Sequence, residues 1–131
     1  GLCAVLAAAA EGQVVITEVM YNPASDEQPP AKTEWVELYN PGDAAVDVAG
    51  WYLADEDGQT QPLPAGTTIE PEQAVVLIPG DSEGAVEAFH AAWGAEVTVY
   101  AVEGWSLRDG MSGLANKPDA TNEVLTLRGS D

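Results

Sequence analysis

Carboxylates in the first half of the chain have the residue types and the density that chemistry would need. The stretch EWVELYNPGDAAVDVAGWYLADEDG, residues 34–58, places Glu34 and Glu37 close together and ends in an acidic turn. Two carboxylates in one site can act as general acid and base, and carboxylate oxygens are also the ligands that Ca²⁺ prefers. The third interpretation is that these acids form the solvated face of a β-sheet.

The spacing of Glu34 and Glu37 excludes the simplest catalytic pair. Successive side chains of a strand point to opposite faces, so two residues three positions apart lie on different faces. Val36 and Leu38 share one face and are expected to contact the core. A carboxylate partner for Glu37 would therefore have to come from another strand.

Glu18, in the preceding strand pattern, is the candidate partner for Glu37. It is in phase with Ile16 and Met20, so we expect it in a buried environment, where a carboxylate needs a hydrogen bond or a positive charge. Three roles stay open for Glu18. It accepts backbone N–H groups or pairs with an arginine, it binds a metal or ligand, or it acts as a general acid or base.

Other catalytic and metal chemistries find little support in the residue types. His90 is the sole histidine and Cys3 the sole cysteine, which argues against a tetrahedral zinc site. His90 lies on the apolar side of a predicted helix, described below. We expect it to be a packing or half-exposed residue there. The sequence has no GxSxG elbow, no HExxH pair and no glycine-rich phosphate loop.

The acidic turn supplies the candidate metal ligands Asp55 and Asp57. An EF-hand loop does not fit, because placing Gly58 at the invariant glycine leaves no carboxylate at the first or last ligand position. A looser calcium site could add Asp43 or Asp47. The favoured interpretation is a tight hairpin turn, for which Asp-Gly is a frequent signal.

Trp35, Glu37 and Tyr39 form the candidate binding surface. Alternation places these three side chains together on the face of their strand that is turned away from Val36 and Leu38. Two rigid aromatic rings on one face could stack on a sugar or contact a protein. The competing interpretation is that a helix or a long loop covers them.

One segment departs from the strand pattern. Its apolar residues recur at helical spacing: Val86, Phe89, His90 and Trp93. Asp81 or Ser82 is the expected N-terminal cap, and Gly94 is expected to end the helix. We expect this short helix to pack over an edge or an open end of the sheet.

Short segments of alternating or β-branched residues recur along the rest of the chain. They are residues 13–21, 34–40, 45–55, 74–79, 96–102 and 122–129. Turn signals separate them at intervals typical of an all-β sandwich, with Trp51 filling the space between its sheets. The chain stops at Asp131 in what resembles the start of a turn, so we expect one or more further strands beyond it.

Composition narrows the class of protein. The 131 residues fit one domain, and 46% of them are hydrophobic, which favours a folded chain. Asp and Glu number 22 against four Lys and Arg, a formal net charge of -18. Such a surface repels nucleic acid. It serves as a solvated exterior or collects divalent cations.

The first ten residues, GLCAVLAAAA, differ from the rest of the chain. Their apolar character and the small residues Ala8 to Ala10 predict the remnant of a signal peptide, with a mature domain over residues 11–131. Ten residues are too few to span a bilayer. We therefore expect a protein that is secreted or located at the cell surface or in the periplasm.

Three ordered segments, VVITEVMYNP, EWVELYNPGDAAVDVAGWYLAD and LPAGTTIEPEQAVVLIP, together resemble the lamin tail domain family, particularly its secreted bacterial members. The later GLANKPDATNEVLTLRGSD is similar to the loop and strand that follow. The resemblance implies an immunoglobulin-like β-sandwich without catalytic residues, with Val36, Leu38, Trp51 and Leu53 in its core. By this resemblance, the helical segment looks like an insertion relative to nuclear lamin tails.

Together these observations predict an exported, non-catalytic interaction or structural module whose partner is a protein or a cell-surface or matrix component. No cofactor is expected, although Ca²⁺ is possible. The alternative is a calcium-stabilised domain that binds carbohydrate or matrix beside a secreted hydrolase. A small hydrolase that uses Glu18 or Glu37 is the third hypothesis.

Overall fold

The computed structural model describes residues 14–20, 34–55, 58–80, 84–105 and 125–129, together with the backbone of residues 2–3, 106–107 and 113–114. Within these residues, eleven short strands and one helix follow one another: β1 (Leu2–Cys3), β2 (Val15–Met20), β3 (Trp35–Tyr39), β4 (Val46–Asp47), β5 (Tyr52–Ala54), β6 (Thr68–Ile69), β7 (Ala74–Pro79), α1 (Ala85–Trp93), β8 (Val99–Val102), β9 (Ser106–Leu107), β10 (Gly113–Leu114) and β11 (Thr126–Arg128).

The main sheet contains five strands in the order β1-β2-β3-β7-β8. Neighbouring strands are antiparallel except β7 and β8, which are parallel because α1 forms the crossover between them. Strand β7 is buried from Val75 to Pro79, with no alternation of exposed residues. This continuous burial arises because the core lies against one face of the strand and α1 packs against the other.

A second layer faces the main sheet. It contains the antiparallel pairs β4–β6 and β5–β11. Strands β9 and β10 form a separate short parallel pair. Gly50, with φ of 81°, separates β4 from β5. The segment after this break is held to residues 60–63 by main-chain hydrogen bonds such as Leu63 N–H to Trp51 O, 2.8 Å. The predicted all-β sandwich with one short helix is confirmed.

The core fills the space between the two layers. Val36 and Leu38 from β3 are fully buried, and Trp51 and Leu53 contact them from the second layer at 6% and 1% exposure. All four expected core positions are therefore confirmed. Trp105, which the sequence analysis did not assign, is also fully buried in this cluster.

A β-bulge in β2 changes the expected orientation of its carboxylate. Ile16 pairs with Leu38 and Glu18 pairs with Glu37, so the register shifts by one residue between the two pairs. Val19 consequently joins Ile16 in the core, while Glu18 is exposed. The prediction that Glu18 occupies a buried environment is wrong because an unbroken alternation was assumed across this bulge.

Helix α1 begins later and packs elsewhere than expected. Its N-cap is Gly84, with φ of 79° and no side-chain cap, whereas the expected caps Asp81 and Ser82 lie outside the described residues. The predicted stop is confirmed, since the Gly94 N–H donates to His90 O at 2.9 Å. The helix packs on a face of the main sheet and not over an edge or an open end.

Strand β1, in the predicted leader, pairs antiparallel with Val19 and Met20 of β2. Within the described part of the chain, no helix combines the length and the apolar character that crossing a bilayer requires. The signal peptide and the strands expected beyond Asp131 stay predictions.

Candidate functional site

The candidate site lies on the face of the main sheet that points away from the core, called the outer face below. Strand β3 contributes Trp35, Glu37 and Tyr39 to it, and β7 contributes Val76 and Ile78. The alternation within β3 thus groups the three predicted binding residues as the sequence indicated. Helix α1 covers part of this face, which divides it into two regions.

The helix-covered region is an aromatic and aliphatic cluster. Trp35, Val76 and Ile78 of the sheet contact Ala85 and Phe89 of α1. Trp35 is only 5% exposed, so its ring lies beneath the helix and presents no flat surface to solvent. The role of Trp35 in binding stays a prediction. A partner at this place would contact the residues of α1 that cover the ring.

Three aromatic rings meet near the C-terminal end of α1. The Trp35 ring centroid lies 5.9 Å from that of Phe89 and 5.7 Å from that of Trp93, both in edge-to-face geometry. Aromatic pairs favour this arrangement because the positive edge of one ring faces the negative face of another. Trp93 is 54% exposed and is the one large hydrophobic residue exposed among the described residues.

One polar atom in this cluster has no partner. The Nε1 of Trp35 is buried and has no hydrogen-bond partner among the residues that the structure describes. A buried donor without an acceptor costs about 1–3 kcal/mol relative to a paired one. The cluster is therefore well packed but not optimised for stability.

The remaining region of the outer face is acidic. Glu37 is half-buried, and its Oε1 accepts a 2.7 Å hydrogen bond from Thr17 Oγ1. Glu18 pairs directly with Glu37 across the strands, so both side chains project from the outer face. Tyr39, half-buried, lies further along β3. The two acids considered as a catalytic pair thus share a face, on which Glu18 is solvated.

Glu34 points to the opposite face, as its spacing from Glu37 predicted. It is 1% exposed, and its Oε2 accepts a 3.1 Å hydrogen bond from Trp105 Nε1. The sequence analysis missed this pair, although the parity that places Val36 in the core places Glu34 there as well. Parity could not identify Trp105 as the hydrogen-bond donor to Glu34, because Trp105 lies in a region without regular alternation.

Asn40 is a second buried polar residue that sequence reasoning missed. Its side-chain amide donates to Ala44 O at 2.8 Å and to Ile69 O at 3.0 Å, and its Oδ1 accepts from Gly42 N–H at 2.9 Å. These bonds join the turn after β3 to β6. An asparagine directly before Pro-Gly at a strand end was the available signal.

Of the two predicted metal ligands, Asp55 is hydrogen-bonded within the acidic turn. Asp55 Oδ1 accepts a 2.9 Å hydrogen bond from Gly58 N–H, and the Asp55 N–H donates to Gly58 O at 2.9 Å. Asp57 lies outside the described residues. Within the described ranges, no three His, Cys, Asp or Glu residues come together to hold a metal ion. Calcium binding stays a prediction.

His90 makes a structural contact. The ring is half-buried, and Nε2 lies 3.0 Å from Val97 O. Since a carbonyl oxygen only accepts, Nε2 carries the proton in this bond. The contact ties the end of α1 to the segment before β8, which agrees with the packing role expected of this residue.

The fold and the outer face together define an immunoglobulin-like β-sandwich that carries one added helix. The family model of the Lamin Tail Domain matches residues 7–128 of the chain. The chain therefore belongs to the Lamin Tail Domain family, whose domains are non-catalytic and immunoglobulin-like. The comparison with curated proteins and the comparison with solved structures each gave no match.

Proposed function

We propose that this chain is a non-catalytic interaction module that presents its outer face to a protein or to a cell-surface or matrix component. The observation that carries the proposal is the match of residues 7–128 to a non-catalytic immunoglobulin-like family. The net charge of -18 supports it further, because this charge disfavours nucleic acid as the partner.

A binding array tests the interaction. The purified chain is applied to immobilised matrix proteins, basic and neutral peptides, and glycans. Tyr39→Ala and Glu37→Ala should weaken the binding found there, because both residues belong to the outer face. Asp47→Ala, an exposed change on β4 in the second layer, is the matched control and should leave it unchanged. Equal binding by all three variants and the unmodified chain would remove the outer face from the proposal.

The proposed location is outside the cytoplasm. The apolar residues 1–10 with Ala8 to Ala10 before Glu11 support it. In a bacterial host, residues 1–13 are given an initiator methionine and a basic start and are fused to a leaderless alkaline phosphatase. Export of active phosphatase is expected, and replacing Ala8 and Ala10 with Gln should block its processing. Retention of both fusions in the cytoplasm contradicts the location.

Two assays separate this proposal from its competitors. Calorimetric melting in Ca²⁺ and in chelator is expected to give the same melting temperature, whereas a higher value in Ca²⁺ supports the calcium-stabilised alternative. A hydrolase panel is expected to show background rates for the unmodified chain. A rate that Glu18→Gln or Glu37→Gln abolishes would replace the interaction module with an enzyme.

A further inference from the structure

The C-terminal end of α1 combines an exposed aromatic ring with negative charge. The Trp93 ring is 54% exposed and is supported by edge contacts with Trp35 and a tilted contact with Phe89 at 6.5 Å. Among side chains, tryptophan attracts a cation over its ring face most strongly. Trp93, Gly94 and Glu96 are called the Trp93 corner below.

The Glu96 carboxylate lies close to the backbone of Gly94, the residue that follows Trp93. A Cβ added at Gly94 would lie 2.5 Å from Glu96 Oε1 and 2.6 Å from Oε2, so the carboxylate packs against the backbone next to Trp93. Gly94 leaves the room for this contact. Its φ of 115° also lies in the range that favours glycine.

The position of this carboxylate is electrostatically unfavourable for the isolated chain. The C-terminal end of a helix carries a partial negative charge, which repels an anion and attracts a cation. Helix α1 ends at Trp93, so its dipole and the Glu96 carboxylate place charge of the same sign in one corner. A bound cation would relieve this repulsion while it covers the exposed ring.

The charge of the whole chain decides which occupant fits. Two copies of a chain with 22 acidic and four basic residues repel each other, and nucleic acid is repelled as well. A partner segment with basic residues is attracted. We propose that the Trp93 corner binds an arginine side chain of a protein partner, whose guanidinium stacks on Trp93 and pairs with Glu96. This inference rests on the proposed function and names its partner class.

The probe for this site is the peptide acetyl-Gly-Arg-Gly-Arg-Gly-amide. Its control replaces both arginines by citrulline, which keeps the shape and removes the charge. The readout is the indole N–H signal of Trp93 in the NMR spectrum of the full chain, assigned with Trp93→Phe. We expect the arginine peptide to shift this signal saturably. We expect the citrulline peptide to bind roughly tenfold more weakly, since it loses both the cation–π and the ion-pair contribution.

Variants test each part of the corner. Trp93→Ala should lower the affinity for the arginine peptide roughly fivefold or more, and Glu96→Gln should lower it roughly threefold. Asp47→Asn removes the same single charge from the second layer and should change the affinity by less than roughly twofold. Circular dichroism and melting show whether each variant is folded, and Glu96→Gln tests the site independently if Trp93→Ala is not.

Three outcomes overturn the inference. Unchanged affinity in both corner variants means that only the diffuse charge attracts the peptide. A Trp93 signal that responds to neutral oligosaccharides and not to arginine makes carbohydrate the occupant. Binding that depends on Tyr39 but not on Trp93 refutes the Trp93 corner and leaves the proposed function standing. The proposed function fails separately, when no component of the array binds the outer face.

Discussion

Two buried tryptophans, one on each face of the main sheet, have opposite polar environments. Trp105 lies in the core between the layers, fully buried, with its Nε1 donating to Glu34 Oε2 at 3.1 Å. Trp35 lies beneath α1 at 5% exposure, and its Nε1 has no hydrogen-bond partner within the described part of the chain. Burial of the two rings is nearly equal, so the difference lies in the completeness of their polar contacts.

This difference separates an enclosed core from a more open outer face. The core is enclosed by two layers of strands, and its buried polar side chains Glu34 and Asn40 have hydrogen-bond partners. Among the described residues, the nine-residue α1 covers part of the outer face, which ends in the exposed Trp93. A native structure satisfies most of its buried donors, so an unpaired one marks a place where stability was not the dominant constraint.

The largest effect is expected from deleting a core ring. Trp105→Ala should lower the free energy of unfolding by about 3–5 kcal/mol, because it empties a fully buried site. Trp93→Ala is the matched substitution on the outer face, and it should lower the free energy by less than half as much because the ring is already 54% exposed. Urea unfolding of both variants measures the contrast. Equal losses would show that the outer cluster stabilises the fold as much as the core does.

The second effect concerns Asn40. Asn40→Ala should cost about 2–4 kcal/mol, because the carbonyls of Ala44 and Ile69 and the N–H of Gly42 lose their partner in a buried setting. Thermal melting against the exposed control Asp47→Ala measures it. A loss no larger than that of the control would mean that water replaces the Asn40 amide.

Substituting phenylalanine for each buried tryptophan tests the comparison most directly. Trp105→Phe and Trp35→Phe remove the same ring volume, but only the first also breaks a hydrogen bond and leaves Glu34 without that donor. Trp105→Phe should therefore be less stable than Trp35→Phe by about 1–3 kcal/mol. Denaturant unfolding of the two variants under identical conditions gives the difference. If Trp105→Phe is as stable as Trp35→Phe or more stable, the missing hydrogen bond of Trp35 Nε1 does not explain a difference in stability between the two regions.

The smallest effect is expected on the acidic part of the outer face. Thr17→Val removes the 2.7 Å hydrogen bond to Glu37 while keeping a β-branched residue in β2. Because Thr17 is exposed, the change in unfolding free energy should stay within about 0.5 kcal/mol. Peptide and glycan binding measured in parallel shows whether this contact positions Glu37 for a partner. A loss of more than about 1 kcal/mol, by contrast, would show that the contact between Thr17 and Glu37 stabilises the fold.

Much of the sandwich could be predicted because its strands alternate. The core positions Val36, Leu38 and Leu53 follow directly from the two-residue period of their segments. The end of α1 at Gly94 follows from the conformational freedom of glycine. These features depend on residues that are neighbours in sequence, and local reasoning is reliable for such features.

The errors arose where one strand depends on another. The bulge that exposes Glu18 is defined by the pairing of β2 with β3, and nothing in VITEVM alone requires it. The same limit applied to α1, whose apolar stripe was recognised but whose docking place was expected at an edge or an open end. Which surface a helix covers depends on the loops that connect it, as well as on its own residues.

By itself, the sequence determined the class of fold, the acidic surface and the separation of Glu34 from Glu37, because alternation and composition are properties of a single segment or of the sum of residues. Only the tertiary structure decided that Trp105 reaches Glu34 across 71 positions, that Trp35 finds no acceptor among the described residues, and that Trp93 stays exposed. Those outcomes depend on distances between segments that are remote in the chain, and these distances are set by packing.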